Sequence, residues 1–308
     1  MNRPIVTLTL NPALDLSSKV DVVAPMHKLR CETPVAEPGG GGINVSRVCQ
    51  RLGAPTVAIA AVAGSIGQRF GRLLEDESIP FVPLLTHGET RESVTINETS
   101  TGQQYRFVFP GPAIGQREVA QAGRLMADIG ADSPVAVISG SMPDLPAGSI
   151  PDLVSALPNA RVVVDTSGPA LVDSLGSSAA LVKPSARELA GVIGRTLGDE
   201  RAIATAAKEV LADSSVGALL VSIGSGGAFL CTRDDVIRFR APSVQVHSAV
   251  GAGDSLVAGI AVGLSRGQPL PDAVALGIAA GSAAVMSEGT QLCRPSDVEA
   301  LLPLVESR

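Results

Sequence analysis

Six short runs rich in β-branched residues recur along the chain, Ile5–Leu10, Thr56–Val62, Val135–Ser139, Val162–Asp165, Leu181–Lys183 and Leu219–Ile223, and each is apolar without alternation. A strand with one wet face alternates polar and apolar residues, so continuous apolar runs need cover on both faces, as in a parallel sheet between helices. The cover lies between them: Ile43–Leu52, Arg69–Glu77, Ser149–Leu157 and Ala202–Leu211 carry helical periodicity, which makes the chain a series of βαβ units. The expectation is a three-layer α/β/α core with a mainly parallel sheet.

Two regions depart from that pattern. Ser18–Val23 with Leu29–Glu37, and Ser93–Glu98 with Tyr105–Pro110, alternate polar and apolar residues with no helix following, the second pair joined through Thr101-Gly102. They suit a small β-sheet standing off the core as a lid or a subunit contact. With no internal repeat or long linker, residues 1–308 read as one domain whose lid strands come from about 15–38 and 90–110.

Composition then excludes several functions. Thirty acidic against 24 basic residues give a net charge of −6, and no block of Lys or Arg supplies a nucleic-acid footprint. Six Phe, Tyr105 and no Trp leave few platforms for stacking bases. The longest nearly apolar run, Ala273 to Met286, is broken by Gly277, Gly281 and Ser282 and falls short of the roughly 18 residues of a membrane span, so it reads as a buried helix. The stretch Met1-Asn2-Arg3-Pro4-Ile5 leads straight into a strand without signal-peptide features, and the cytoplasm is the expected compartment. Cys31, Cys49, Cys231 and Cys293 are scattered with no CxxC pair, which fits reduced thiols, and His27, His87 and His247 lack metal-ligand spacing.

The stretch richest in chemistry is Val250-Gly251-Ala252-Gly253-Asp254-Ser255, followed by the apolar run Leu256–Leu264. A glycine-rich turn entering a helix leaves backbone N–H groups unpaired at the positive end of the helix dipole, an anion hole suited to a phosphoryl group in transfer. Asp254 there has two readings, a helix cap or a base that takes a proton from an attacking hydroxyl. Pro38-Gly39-Gly40-Gly41-Gly42-Ile43-Asn44-Val45 is the second glycine-rich entry to a helix, and without side chains its backbone can approach a ligand closely.

In this order these segments, with Asn11-Pro12-Ala13-Leu14-Asp15, resemble the signature regions and opening of the PfkB/ribokinase family of carbohydrate kinases over nearly the whole chain. The resemblance implies a ribokinase-like α/β sandwich with a β-sheet lid, ATP as phosphoryl donor and Asp254 as catalytic base beside the hole of Gly251, Ala252 and Gly253. It also implies that Asp15, Gly39, Gly40 and Asn44 contact the sugar. Leu181-Val182-Lys183-Pro184-Ser185-Ala186-Arg187-Glu188 ends a strand and opens a helix at the sheet edge where ligands bind. The family's Asn-x-x-Glu at that place is linked to Mg2+ and phosphates; here Ser185 replaces the Asn, Glu188 is the magnesium-linked residue through water, and Lys183 contacts the nucleotide. Ser222, Gly224 and Gly227, in Ser222-Ile223-Gly224-Ser225-Gly226-Gly227-Ala228, resemble the nucleotide loop. Ser248 and Val250 match a stretch that in some members holds a monovalent cation such as K+.

Lys28-Leu29-Arg30-Cys31, Glu37 to Asn44, Gln104-Tyr105-Arg106-Phe107-Val108 and Ser139-Gly140-Ser141 resemble the family's minor bacterial 6-phosphofructokinase branch. The likeness implies that Lys28, Arg30, Arg91 and Arg106, together with Ser141, hold a sugar phosphate, and that lid strands clasp in a homodimer with Lys28 reaching the partner's site. The expected reaction is transfer from MgATP to the C1 hydroxyl of fructose 6-phosphate. The alternatives are 1-phosphofructokinase and tagatose-6-phosphate kinase, branches that usually carry Gly-Gly-Lys-Gly where this chain has Gly39–Gly42, and a non-catalytic sugar-phosphate sensor, which would not need Asp254, Lys183 and Glu188. An NAD-dependent oxidoreductase would need GxGxxG after the first strand, where Asn11–Asp15 stands, and no GxxxxGK[ST] supports a P-loop.

Overall fold

The computed structural model describes residues 3–287 and 292–308, so Met1 and Asn2 of the N-terminal stretch lie outside the described residues. In chain order its elements are β1 (Ile5–Thr9), β2 (Ala13–Val20), β3 (Val35–Gly39), α1 (Gly41–Arg51), β4 (Thr56–Val62), α2 (Gly64–Asp76), β5 (Phe81–Leu85), β6 (Arg91–Glu98), β7 (Gln104–Val108), α3 (Gln116–Gly130), β8 (Val135–Ser139), α4 (Ser149–Ser155), β9 (Arg161–Asp165), α5 (Gly168–Ser174), β10 (Leu181–Val182), α6 (Ala186–Ile193), α7 (Glu200–Ala212), β11 (Ala218–Ser222), β12 (Gly227–Thr232), β13 (Val236–Arg240), α8 (Ala252–Ser265), α9 (Leu270–Val285), α10 (Pro295–Leu301) and β14 (Glu306–Ser307).

The large sheet runs β14, β13, β12, β11, β10, β9, β8, β1, β4, β5. From β11 to β5 every pairing is parallel, and β12, β13 and β14 add an antiparallel margin. The continuous apolar runs have the expected cause. Ile5, Val137 and Val163 enter a cluster with Val257, Ile260 and Val274 of α8 and α9. Their neighbours Val6, Ile138 and Val164 enter another cluster with Met126 and Leu153 of α3 and α4. Successive residues of one strand thus feed opposite faces, giving three layers. The apolar run read as a buried helix is α9, and no helix among the described residues is long and apolar enough to cross a membrane. All four cysteines are free thiols.

The sequence reading did not anticipate β5, an edge strand that tolerates Pro83 because one side of its backbone needs no partner, or the β12–β13 hairpin.

A second sheet runs β3, β2, β6, β7, with β2–β3 and β6–β7 antiparallel and β2–β6 parallel. Its first pair is shifted from the expected Ser18–Val23 and Leu29–Glu37. Residues 21–34 are in no strand, Met26 has a φ of 64°, and Pro25 and Pro34 offer no N–H to a ladder. Lys28 and Arg30 consequently stand in an exposed loop and not on a lid strand.

Candidate active site

Parallel strands bring their carboxyl ends to one edge, and here β1, β8, β9, β10 and β11 end at Thr9, Ser139, Asp165, Val182 and Ser222. The loops leaving that edge hold most of the residues singled out from the sequence.

Helix α8 begins behind Gly251, which caps it in the left-handed conformation at φ 74°. Asp254 lies in the first turn and makes no cap hydrogen bond, so the helix-cap reading does not account for it. Its Oδ2 accepts from Asn44 Nδ2 at 2.7 Å, a bond that ties the start of α8 to the first turn of α1. Burial pushes the Asp254 carboxyl up to about 6; Asp165 and Asp15 add to the rise, while Asn44 and Lys183 oppose it. Ala252 and Gly253 begin the same turn, with open space around Gly253.

Lys183, directly after β10, is buried and forms an ion pair of 2.9 Å with Asp165 at the end of β9. Burial raises the Asp165 carboxyl and Lys183 opposes the rise, whereas the lysine is raised despite its burial because Asp165, Glu188 and Asp254 all favour its charge. The sequence reading missed Asp165. Its signal was an acid closing the apolar run Arg161–Asp165 at a ligand-binding edge.

Ser185 caps α6 and forms a reciprocal box with Glu188: Ser185 N and Oγ donate to Glu188 Oε2 at 2.7 and 2.8 Å, and Glu188 N donates to Ser185 Oγ at 3.2 Å. Ser222 lies beside Ser185 through a parallel bridge, and Gly224 opens a single 3-10 turn with nothing packed against it. Gly227, by contrast, is crowded by the backbone of β13. Before α8, Ser248 Oγ accepts from Val250 N at 3.2 Å, and Ser248, Val250 and His247 face Asn97, Gln104 and Arg106 of the second sheet across a cavity of about 490 Å³.

At the other side of the edge, Asp15 and Glu37 are cross-strand partners on β2 and β3. Burial raises the Asp15 carboxyl; Arg91, Arg106 and a hydrogen bond from Ser93 counter that, while Glu37 adds to it. Arg91 Nε donates to Asn11 O at 3.3 Å, and Asn11 Nδ2 donates to Ser141 Oγ at 3.3 Å. Asn11 stands in the opening motif Asn11–Asp15, but of that motif only Asp15 was singled out as a site residue. Buried oxygens Thr9 Oγ1, Asn11 Oδ1 and Ser139 Oγ have no hydrogen-bond partner among the described residues. Lys28 and Arg30 make no hydrogen bond or ion pair among them and are not gathered with this cluster.

The glycine run is packed from within the protein. A Cβ on Gly39 would overlap Asp15 Oδ2, one on Gly40 would stand 2.8 Å from Thr9 Cγ2, one on Gly41 2.5 Å from Ser139 Oγ and 2.7 Å from Gly140 N, and one on Gly42 2.5 Å from Thr9 Oγ1. The glycines let α1 dock on the ends of β1 and β8. Their bareness is required by this internal packing, a cause that the sequence reading, which took it to serve ligand approach, did not give.

Residues 8–297 match the model of the pfkB family carbohydrate kinases. A Mycobacterium tuberculosis protein named ATP-dependent 6-phosphofructokinase isozyme 2 is 41% identical over 303 residues, 97% of this chain and 89% of that one. Crystal structures of Escherichia coli phosphofructokinase-2 are also similar. One in complex with potassium superposes with a TM-score of 0.92 at 36% identity, and one in complex with fructose-6-phosphate with 0.90 at 35%, each covering 99% of both chains.

Proposed function

The chain belongs to the pfkB family of carbohydrate kinases, and on that premise we propose that it transfers the γ-phosphoryl group of ATP to the C1 hydroxyl of fructose 6-phosphate, giving fructose 1,6-bisphosphate and ADP. The observation that carries the reading is the half-buried Asp254 carboxylate, held by Asn44 at the N-terminus of α8 in the electrostatic range of Lys183.

The backbone N–H groups of Ala252 and Gly253, with the dipole of α8 behind them, receive the charge that develops on the phosphoryl oxygens. Asp254 takes the C1 hydroxyl proton as the new O–P bond forms and the bond from the γ-phosphorus to the bridging oxygen of ADP breaks. Asn44 fixes which carboxylate oxygen is left to accept that proton. Lys183, held by Asp165, lies on the nucleotide side with Ser222 and the Gly224–Gly227 turn. Asp15, Gly39, Gly40 and Ser141 hold sugar hydroxyls, and Arg91 and Arg106 take the 6-phosphate in charge-assisted bonds. The unpartnered oxygens of Thr9, Asn11 and Ser139 are the buried acceptors and donors that a polyhydroxylated ligand would satisfy.

The donor set suits magnesium bound mainly by phosphates and water. No cluster of three His, Cys, Asp or Glu among the described residues could cage an ion, and Glu188, one oxygen committed to its cap, would hold a water of the metal's shell with the other. Magnesium would supply neutralisation of phosphate charge. Ser248 and Val250 would hold potassium in the turn before α8.

The whole chain acts as a single kinase domain with the second sheet as its lid, and the lid also forms a homodimer. Leu16, Val94, Ile96 and Phe107 share one sheet face, and Phe107 is 53% exposed, a surface that a second copy would cover.

Among the rival branches, the distinguishing position is Gly41, where Ser139 and the Gly140 backbone leave no room for the lysine those branches carry. ADP release measured across a panel of sugars and sugar phosphates tests the whole reading. Fructose 6-phosphate is expected to be turned over best, and fructose, lacking the contacts to Arg91 and Arg106, at least ~1000-fold less well in kcat/KM. A higher kcat/KM for fructose 1-phosphate overturns the branch, and no ADP release with any of them leaves the sensor.

A further inference from the structure

Asp15 and Glu37 stand directly opposite each other in the β2–β3 register. Like charges so placed destabilise a sheet, and Glu37 raises the Asp15 carboxyl. The charge is answered from outside the sheet. Arg47, on α1 one turn after Asn44 and only 6% exposed, donates through Nη2 to Glu37 Oε1 at 3.2 Å, and through Nε and Nη2 to both oxygens of Glu77 at 2.6 and 2.7 Å. Glu77 caps the C-terminus of α2, so the guanidinium is anchored bidentately on the core and turns its remaining reach toward the lid strand.

The two sides of the Asp15–Glu37 pair are therefore served separately. Arg91 and Arg106 act on Asp15, where the sugar phosphate is proposed to bind, and the buried Arg47 bonds Glu37. A sugar phosphate that draws Arg91 and Arg106 onto its own oxygens removes part of what keeps Asp15 ionised. Glu37 must then be neutralised by something the ligand does not touch. We infer that Arg47 is a positioning residue for the sugar end of the site, holding Glu37 neutralised so that Asp15 stays in place as a hydrogen-bond acceptor when ligand engages Arg91 and Arg106. The inference rests on the proposed role of Asp15 in sugar binding. Nucleotide residues come from β10, β11 and the loop after β11, away from this network, so a defect here falls on one substrate.

The measurement is steady-state kinetics with both substrates varied, using the full-length protein. Arg47→Lys keeps a charge but cannot serve both glutamates in bidentate geometry; it is expected to raise KM for fructose 6-phosphate about 10-fold and leave KM for ATP within about 2-fold. Adding Glu37→Gln removes the opposing charge, and the double variant is expected to return to within about 3-fold of wild type. A merely structural anchor between α1 and α2 would not be rescued at position 37. Equal changes in both KM values, or no recovery in the double variant, overturn the inference. If Arg47→Lys does not fold, Glu77→Gln loosens the same anchor, and its sugar-phosphate KM must rise selectively and recover with Glu37→Gln, or the inference falls. Asp15→Asn separates the levels: an unchanged fructose 6-phosphate KM in that variant removes Asp15 from sugar binding and Arg47 with it.

Discussion

The residue on which most depends is Asp254, because its environment pulls in two directions. Its one strong hydrogen bond, from Asn44, favours the ionised form, and burial disfavours it more, leaving the carboxyl near pH 6. A base must be ionised to accept a proton, so kcat/KM for the sugar phosphate is expected to climb about tenfold per pH unit below that value and level above it. Asp254→Asn keeps an oxygen for Asn44 but no basic lone pair, and should lose at least ~100-fold in turnover at pH 8. The same burial has a sign for stability. A carboxyl raised in the folded state contributes stability below its ordinary value of 3.8 and forfeits it as the pH rises through about 6. The Asn variant should therefore melt higher than wild type at pH 8, with the difference gone below pH 3.8. A lower melting temperature at pH 8 would mean that the charge is better satisfied than burial implies.

At the scale of elements, the central strands were legible because burial on both faces forces an apolar run, and Thr56–Val62 and Val135–Ser139 match their expected bounds. The second sheet was legible as alternation, but its first pair was misplaced, since the exposed loop between β2 and β3 contains apolar Val22 and Leu29 that mimic a strand's pattern. In the site, motifs marked Asp254 and Lys183, but Asp165 and Arg47 pair with Lys183 and Glu77, and no spacing encodes such contacts across intervening chain. The glycine run shows the opposite failure. Its presence was plain, but one cause of it, the seating of α1 on β1 and β8, appears only in three dimensions. Gly41→Ala should accordingly destabilise by about 1–3 kcal/mol through overpacking against Ser139 and Gly140, lowering the thermal midpoint. An unchanged midpoint would show that the strand ends yield. The variant should also lower kcat, because α1 carries Asn44.

For the whole molecule, the second sheet presents two chemically different faces. Period-two register puts Asp15, Ser93, Arg91 and Arg106 on one face and Leu16, Val94, Ile96 and Phe107 on the other. On the proposed reading the first face meets the substrate and a second copy would cover the other, so closing a lid and joining subunits would become one structural problem. The loop of residues 21–34 joins two strands of the same sheet, and Lys28, exposed within it, has no ion pair among the described residues of its own chain. An extended loop of this length can carry a side chain about 20 Å from its roots, enough to cross a two-fold interface. If Lys28 completes the partner's site, a Lys28→Ala chain and an Asp254→Asn chain, each nearly inactive alone, should recover activity when mixed and allowed to exchange subunits. A mixed dimer has one site with both an intact base and an intact neighbouring lysine; random reassortment at equal amounts makes half the dimers mixed, so activity should approach about a quarter of wild type. Tagged chains verify that mixed dimers form. Mixed dimers that form and stay inactive would place Lys28 outside the partner's site, while leaving Asp254 and the apolar face of the sheet to be judged by their own variants.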